Sequence, residues 1–121
     1  MHALIIEDEP LIACLVEDVL RDSGVVTIDF ADSFAAALAR AAERAPDLIT
    51  ADVNLVEGSG IDAVEAITRL IAPRVVFVTA SVADVRARLP DAVIVAKPFS
   101  ADALKTVVTN VVGWLPRSDV R

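Results

Sequence analysis

Several polar residues stand where short apolar runs of the sequence end. They are Glu7-Asp8-Glu9 after the first run, Asp52 at the end of the third, Thr79 in the fourth and Lys97 after the fifth. Clustered carboxylates raise one another's pKa values unless a cation neutralises them, and Mg²⁺ accepts such oxygen ligands together with backbone carbonyls and water. A hydroxyl and an ammonium group facing the same point could orient and neutralise a phosphoryl group. The residue types therefore predict Mg²⁺-assisted phosphoryl chemistry.

The composition excludes a metal site built from cysteine and histidine. The chain has one cysteine, Cys14, and one histidine, His2, whereas such sites need several of these residues. Cys14 lies in the apolar run LIACLVEDVL, and we interpret it as a buried helix residue rather than a reactive thiol. Any bound cation must therefore be held by oxygen ligands, as Mg²⁺ is.

Charge and hydropathy exclude two further classes of partner. The formal charge is −7, with 11 basic and 18 acidic residues and no basic cluster, so we expect no direct nucleic-acid binding. No apolar run approaches the roughly 20 residues of a membrane helix, and acidic residues follow Met1 too soon for a secretory signal. We therefore expect no membrane association and a cytoplasmic location. The 121 residues are expected to form one domain with a hydrophobic core.

Strand-like and helix-like segments alternate five times along the chain. Apolar or β-rich runs predict strands at 3–6, 25–30, 47–52, 75–80 and 92–96. Helical periodicity and capping signals predict helices at 10–22, 33–44, 61–70, 82–89 and 100–115. The polar tail, residues 116–121, is expected to be disordered.

This alternation predicts the architecture. Fully apolar strands indicate a parallel sheet covered on both faces, so we expect an α/β fold with a doubly wound five-stranded parallel sheet in three layers. Ligands of such sheets bind beyond the carboxyl ends of the strands. The polar residues that end the apolar runs are therefore expected to converge at one edge of the sheet.

Four motifs at these strand ends resemble those of the receiver domain of two-component response regulators. They are IIEDEP, ADVNL with the later GSG, FVTAS and AKPF, and the resemblance covers essentially the whole chain. It implies a flavodoxin-like (βα)5 fold and a signalling switch of a phosphorelay rather than an enzyme. Members of that family accept a phosphoryl group from a sensor histidine kinase or a histidine phosphotransfer protein.

The resemblance also implies a role for each matching acidic residue. Asp52 takes the position of the phosphoacceptor, where its carboxylate is the nucleophile. Asp8 matches a direct metal ligand, and Glu7 matches the neighbouring acid that commonly acts through water. Asp52 itself and the backbone carbonyl of Asn54 complete the implied metal ligands. The implied cofactor is Mg²⁺, for which Mn²⁺ could substitute.

Thr79 and Lys97 match the hydroxyl and the lysine that hold the phosphoryl oxygens in that family. Only 18 positions separate them (97 − 79), which is shorter than usual. The fourth helix is therefore expected to be cut to about two turns.

Three other positions depart from the family pattern. The acid pair is Glu7-Asp8 rather than two aspartates, and Val56 replaces the proline common four residues after the acceptor. Ile94 replaces the aromatic residue usually found three positions before the lysine. Receivers often report phosphorylation by swinging that ring inward, and Ile94 cannot do so in the same way.

We expect the response to pass instead through the loop Ala80-Ser81-Val82 and the short fourth helix. A helix of two turns has little stability of its own, so shifting or partly melting it costs little. The movement would change a surface that we expect to expose Val85, Arg86 and Leu89. This surface belongs to the face formed by the fourth helix, the fifth strand and the fifth helix.

The combination of motifs and a short fourth helix also resembles a subgroup of stand-alone receivers that is often paired with histidine kinases of the HWE type. A homodimer is an open alternative for the assembly. The sequence does not name the cognate kinase, the downstream target or the signal.

Two other functions remain open from the residues. The departures from the family pattern leave room for a phosphorylation-independent scaffold. A Mg²⁺-dependent phosphohydrolase with an aspartate nucleophile is the second, but haloacid-dehalogenase-type enzymes carry D-x-D-x-T. The segment Asp52-Val53-Asn54-Leu55-Val56 lacks the second aspartate and the threonine, and the chain has no cap-like insertion.

Overall fold

Five strands alternate with five helices over residues 1–113, the part of the chain that this computed structural model describes. The strands are β1 (His2–Ile6), β2 (Thr27–Ala31), β3 (Leu48–Ala51), β4 (Arg74–Thr79) and β5 (Val93–Ala96). The helices are α1 (Pro10–Asp22), α2 (Phe34–Glu43), α3 (Gly60–Thr68), α4 (Val82–Arg88) and α5 (Ala101–Val112). The prediction of a disordered tail at 116–121 concerns residues outside this range.

All neighbouring strands are parallel, and their order across the sheet is β2-β1-β3-β4-β5. One hydrophobic cluster joins the sheet to α1 and α5, and a second joins its other face to α2, α3 and α4. The predicted doubly wound, three-layered α/β fold is confirmed. The strand order reverses between β1 and β3, which is where open α/β sheets form a ligand crevice.

The central strand β1 shows why the sheet is covered on both sides. All five of its residues are buried. Ala3 and Ile5 pack in the cluster with α1 and α5, whereas Leu4 and Ile6 pack in the opposite cluster. Because successive side chains of a strand point to opposite faces, a strand between two helical layers must be apolar at every position.

Serine side chains begin three of the helices. Ser33, Ser59 and Ser100 are the N-cap residues of α2, α3 and α5, and each accepts a hydrogen bond from a backbone N–H in the first turn. Such caps satisfy donors that have no partner inside the helix. Pro10 begins α1, where its missing N–H is not needed.

Three burial expectations are wrong. Leu89, directly after α4, is half-buried against the core rather than exposed. Cys14 is exposed rather than buried, because it lies off the α1 face that carries Ala13 and Val16 into the core. Val85 is fully buried rather than part of an exposed surface, since it is the one α4 residue that anchors this short helix to the core.

Candidate functional site

The acidic cluster forms because β1 and β3 are neighbours and end at the same edge. The Asp52 N–H donates a hydrogen bond to the Ile6 carbonyl over 2.9 Å, which places Asp52 beside the residues that follow β1. One carboxylate oxygen from each of Glu7, Asp8, Glu9 and Asp52 lies within 4.8 Å of the others. The structure therefore brings together the acids predicted from strands one and three.

Lys97 carries its ammonium group into this cluster from the end of β5. Its Nζ lies 3.0 Å from Glu7 Oε1, 3.1 Å from Glu9 Oε1 and 2.9 Å from Asp52 Oδ2. The Lys97 N–H also donates to the Thr79 carbonyl over 2.9 Å, which ties the lysine to the end of β4. One cation thus faces three carboxylates at a shared point.

For both Glu7 and Lys97, burial and interactions with oppositely charged neighbours shift the pKa in opposite directions. Burial raises the pKa of Glu7, and the nearby Asp52 charge adds to that rise while Lys97 opposes it. Burial alone would lower the pKa of Lys97, but its hydrogen bonds to Asp52, Glu7 and Glu9 raise it above the ordinary lysine value. Lys97 is therefore a permanent cation of the site.

The Asp52 carboxylate is held in one orientation. The residue is only 5% exposed, Oδ1 accepts a hydrogen bond from the Val53 N–H over 2.7 Å, and Oδ2 accepts from Lys97. Gly60 packs tightly against the backbone of Asp52. A Cβ added to Gly60 would lie 1.7 Å from the Asp52 carbonyl oxygen, so no larger residue fits there. The Gly60 N–H donates to the Val53 carbonyl over 2.9 Å, so α3 begins directly against the segment that follows Asp52.

Thr79 ends β4 and is fully buried. Its Oγ1 accepts a hydrogen bond from the Ser81 N–H over 3.0 Å. The Ser81 hydroxyl in turn accepts from Asn54 Nδ2 over 2.8 Å, so the loops after β3 and β4 are joined beside the acidic cluster. The structure thereby links the threonine to Asn54, a contact that the sequence does not reveal.

The donor set fits a hard divalent cation. The clustered atoms are all carboxylate oxygens, the ligand type that Mg²⁺ and Mn²⁺ prefer. Within residues 1–113, Asp8 makes no side-chain hydrogen bond or ion pair, so its carboxylate is available as a ligand. Glu9, which stood in the quoted acidic run but not among the predicted ligands, adds an exposed carboxylate to the group.

The remaining residues of the expected switch lie at the start of α4 and in β5. Ala80 is exposed, and Ser81 and Val82 are half-buried where α4 begins. Ile94 is half-buried in β5 and packs against the cluster beneath α2, α3 and α4. No helix among the described residues is both long and apolar enough to cross a membrane.

This fold and site define a class of protein. A family model described as the response regulator receiver domain matches residues 3–109. The chain therefore belongs to the receiver domain family of two-component response regulators, and receiver domains typically bind Mg²⁺ at such an acidic cluster.

Particular relatives refine this class. The solution NMR structure of the PhyR receiver domain of Erythrobacter litoralis is 33% identical, with a TM-score of 0.86, and the match covers 93% of this chain and 90% of that one. The phyllosphere-induced regulator PhyR of Methylorubrum extorquens is 36% identical over 88% of this chain and 42% of its own length. The sensory transduction protein LytT of Enterococcus faecalis is 39% identical over 66% of this chain and 34% of its own length. The chain thus spans less than half the length of these two curated relatives.

Proposed function

We propose that residues 1–121 form one receiver domain that acts as a phosphorylation-activated switch, with Asp52 as the phosphoacceptor. One observation carries this proposal: the Asp52 carboxylate is almost buried, yet it is held between the Val53 N–H and the Lys97 ammonium group at the crevice of the sheet. A carboxylate held by these two donors keeps a fixed direction of attack, as a nucleophile requires.

The proposed step transfers a phosphoryl group from a phosphohistidine. An Asp52 oxygen attacks phosphorus and forms the new P–O bond, while the P–N bond breaks and its electron pair leaves with the imidazole. The imidazole nitrogen regains its proton from solvent. Lys97 is placed to contact a phosphoryl oxygen, because it already lies 2.9 Å from the attacking carboxylate. Thr79 would supply a hydroxyl donor from the end of β4.

A bound Mg²⁺ would neutralise the charge that builds up between the carboxylates and the phosphoryl group. The residues that would hold it are Asp8 and Asp52 directly, Glu7 through water and Asn54 through its backbone carbonyl. Mn²⁺ would serve in the same role.

We propose that the signal leaves through the loop Ala80-Ser81-Val82 and α4. The Ser81 N–H already bonds to the Thr79 hydroxyl oxygen, so a shift of Thr79 toward the phosphoryl group would pull on the start of α4. A charge-assisted hydrogen bond of roughly 1.5–3 kcal/mol is enough to bias two states a few kcal/mol apart. The response would change partner binding on the face formed by α4, β5 and α5.

The contacts of α4 determine whether we expect this helix to move or to melt. Arg88 forms ion pairs with Asp62 and Glu65 of α3. Arg86 donates to the carbonyls of Pro90 and Ala92 in the following loop. These contacts favour displacement of α4 as a unit over complete melting.

The similarity to PhyR receivers suggests partners. PhyR of Bartonella quintana is described as an anti-anti-sigma factor, and its receiver part is 32% identical to 93% of this chain. We propose a sensor histidine kinase of the HWE type, or a histidine phosphotransfer protein, as the phosphodonor. The same similarity makes an anti-sigma factor the downstream partner class to examine first.

Intact-protein mass spectrometry under acidic conditions, after incubation with acetyl phosphate and Mg²⁺, tests whether Asp52 is the phosphoacceptor. The full chain should gain one phosphoryl group, Asp52→Asn should gain none, and the exposed control Asp18→Asn should behave like the unmodified chain. Labelling that persists in Asp52→Asn would refute the assignment.

Amide hydrogen exchange with and without beryllofluoride, a mimic of the phosphoryl group, tests the route of the signal. Changes should concentrate at residues 80–90, and Ile94→Ala should barely reduce them. A silent α4 with a response in β5 that Ile94→Ala blocks would contradict the route. No change anywhere, with partner binding intact, would favour the phosphorylation-independent scaffold, and steady turnover of a generic phosphate ester would favour the phosphohydrolase.

A further inference from the structure

A groove of about 540 Å³ lies at the edge of the sheet opposite to the acidic cluster. Its lining residues are Arg74, Val75, Val93, Val107, Asn110 and Val111. The first three stand at the amino-terminal ends of β4 and β5, and the others belong to the second half of α5. We call this site the Arg74 groove.

The walls of the Arg74 groove are apolar side chains that the fold leaves partly uncovered. Val93 lies on the edge strand β5 and is 40% exposed, while Val107 and Val111 of α5 are half-buried. Valine side chains in a concave site offer a surface from which an apolar ligand group would displace water.

Arg74 gives the groove a positive charge. Within residues 1–113, its buried Nε atom has no hydrogen-bond partner. None of the ion pairs formed within residues 1–113 includes Arg74, whereas Arg88 bonds to two carboxylates of α3. A buried donor without an acceptor is costly, and a guanidinium group is best satisfied by a carboxylate that it can bind through two N–H groups.

We propose that the Arg74 groove docks a segment of a partner protein that presents an apolar or aromatic side chain beside a carboxylate. The carboxylate would pair with Arg74, and the apolar side chain would lie against Val93, Val107 and Val111. Charge complementarity selects this chemistry, because Arg74 is the only charged residue among the described residues that line the groove. Docking at this groove does not require phosphoryl transfer, because the groove lies at the amino-terminal ends of the strands and Asp52 lies at their carboxyl ends.

N-acetylphenylalanine is a suitable probe because it carries an aromatic ring next to a carboxylate. In NMR titrations of the full chain, it should shift the Arg74 Nε–H signal and the amide signals of Val93, Val107 and Val111. Its neutral amide, N-acetylphenylalaninamide, is the matched control and should bind about tenfold more weakly, because it lacks the charged acceptor for Arg74. Equal binding of the two probes would overturn the proposal.

Variants of the full chain locate the interaction. Arg74→Gln should weaken binding of N-acetylphenylalanine by about tenfold, while Arg44→Gln, which removes an exposed arginine outside the groove, should leave it unchanged. Circular dichroism of Arg74→Gln would verify that the variant is folded. Retained affinity in Arg74→Gln, or equal losses in both variants, would contradict the assignment.

Two other occupants are outcomes of the same experiment. If the chain's own residues Trp114 and Leu115 fill the groove, a full-length variant with serine at both positions should bind the probe more tightly, and the proposal would fail. If a second copy fills it, the affinity for the probe would fall as protein concentration rises, which would also overturn the proposal. Affinity that is independent of both changes supports a separate partner. Loss of Asp52 phosphorylation would not alter any of these results.

Discussion

Lys97 and Arg74 are cationic side chains at opposite ends of the parallel strands, and their surroundings differ. Lys97 follows the carboxyl end of β5, whereas Arg74 begins β4. Lys97 Nζ has three carboxylates within 3.1 Å. Arg74 has no ion pair within residues 1–113 and keeps a buried Nε without a partner. One cation therefore has more anionic partners than it can neutralise, and the other has none among the residues that the structure describes.

The difference indicates where each charge acts. The Lys97 site has spare negative charge, so it suits a further cation and, with that cation, an anionic phosphoryl group. The Arg74 site has spare positive charge beside apolar walls, so it suits an anionic group carried by another molecule.

Replacing Lys97 with methionine should have the largest effect. It would leave three carboxylates without their shared cation, and we expect a loss of about 2 kcal/mol in the free energy of unfolding without divalent cations. This is less than the roughly 3–5 kcal/mol of a fully buried pair, because solvent still reaches the lysine. Urea denaturation measures the loss.

The exposed Lys105 of α5 provides the matched control. Lys105→Met should leave the free energy of unfolding nearly unchanged. Addition of Mg²⁺ should recover part of the loss in Lys97→Met, because the ion would replace the missing positive charge. Similar stability of the two variants would show that Lys97 does not neutralise the cluster.

The second prediction separates the acidic ligands. Asp8→Ala should weaken Mg²⁺ or Mn²⁺ binding by about tenfold, and Glu7→Ala should weaken it less. The reason is that Glu7 is already bonded to Lys97 and to the Glu9 N–H, whereas the Asp8 carboxylate is free within the described residues. Isothermal titration calorimetry would check this order, and equal losses would show that the assignment of direct and water-mediated ligands is wrong.

The third prediction uses the raised pKa of Glu7. Burial makes the folded chain hold this proton more tightly than the unfolded chain, so ionising Glu7 costs stability as pH rises through its folded pKa. Glu7→Gln should therefore raise the melting temperature of the metal-free protein at pH 7. The gain should shrink as pH falls and vanish below the ordinary glutamate pKa of 4.5. A gain that is constant across this range would point to packing rather than charge.

The smallest effect is expected at Arg74. Because its buried Nε bonds to none of residues 1–113, Arg74→Met should change the free energy of unfolding by no more than about 0.5 kcal/mol, or raise it slightly. A clear loss in the same urea experiment that measures Lys97→Met would indicate a hidden partner for Arg74 and would remove the contrast between the two cations.

The fold, and the convergence of the acidic residues at one end of the strands, could both be predicted from the sequence. Alternation of apolar strands with capped helices predicts a parallel sheet, and strand ends that share an edge bring Glu7 and Asp52 together. The sequence did not give the exact strand limits. The strand β2 begins at Thr27 rather than at 25, so its predicted apolar start lies outside the sheet. The roles of Asp52, Thr79 and Lys97 remain predictions of the resemblance.

Other features depended on three-dimensional contacts. The ion pair between Glu9 and Lys97 crosses the crevice and joins residues that are far apart in the sequence. The Arg74 groove combines residues from three elements, so no local pattern could reveal it. Cys14 is a different case, since the positions of Val16, Val19 and Leu20 already set the buried face of α1 and leave Cys14 outside it.

Gly60 has a consequence for engineering this chain. Because even a methyl group at this position would overlap the Asp52 carbonyl, the first residue of α3 and the backbone of Asp52 cannot be varied independently. Libraries that vary this loop should diversify residues 53–59 and keep glycine at 60. Insertions in that loop would be tolerated only if both ends stay where Gly60 and Asp52 now meet.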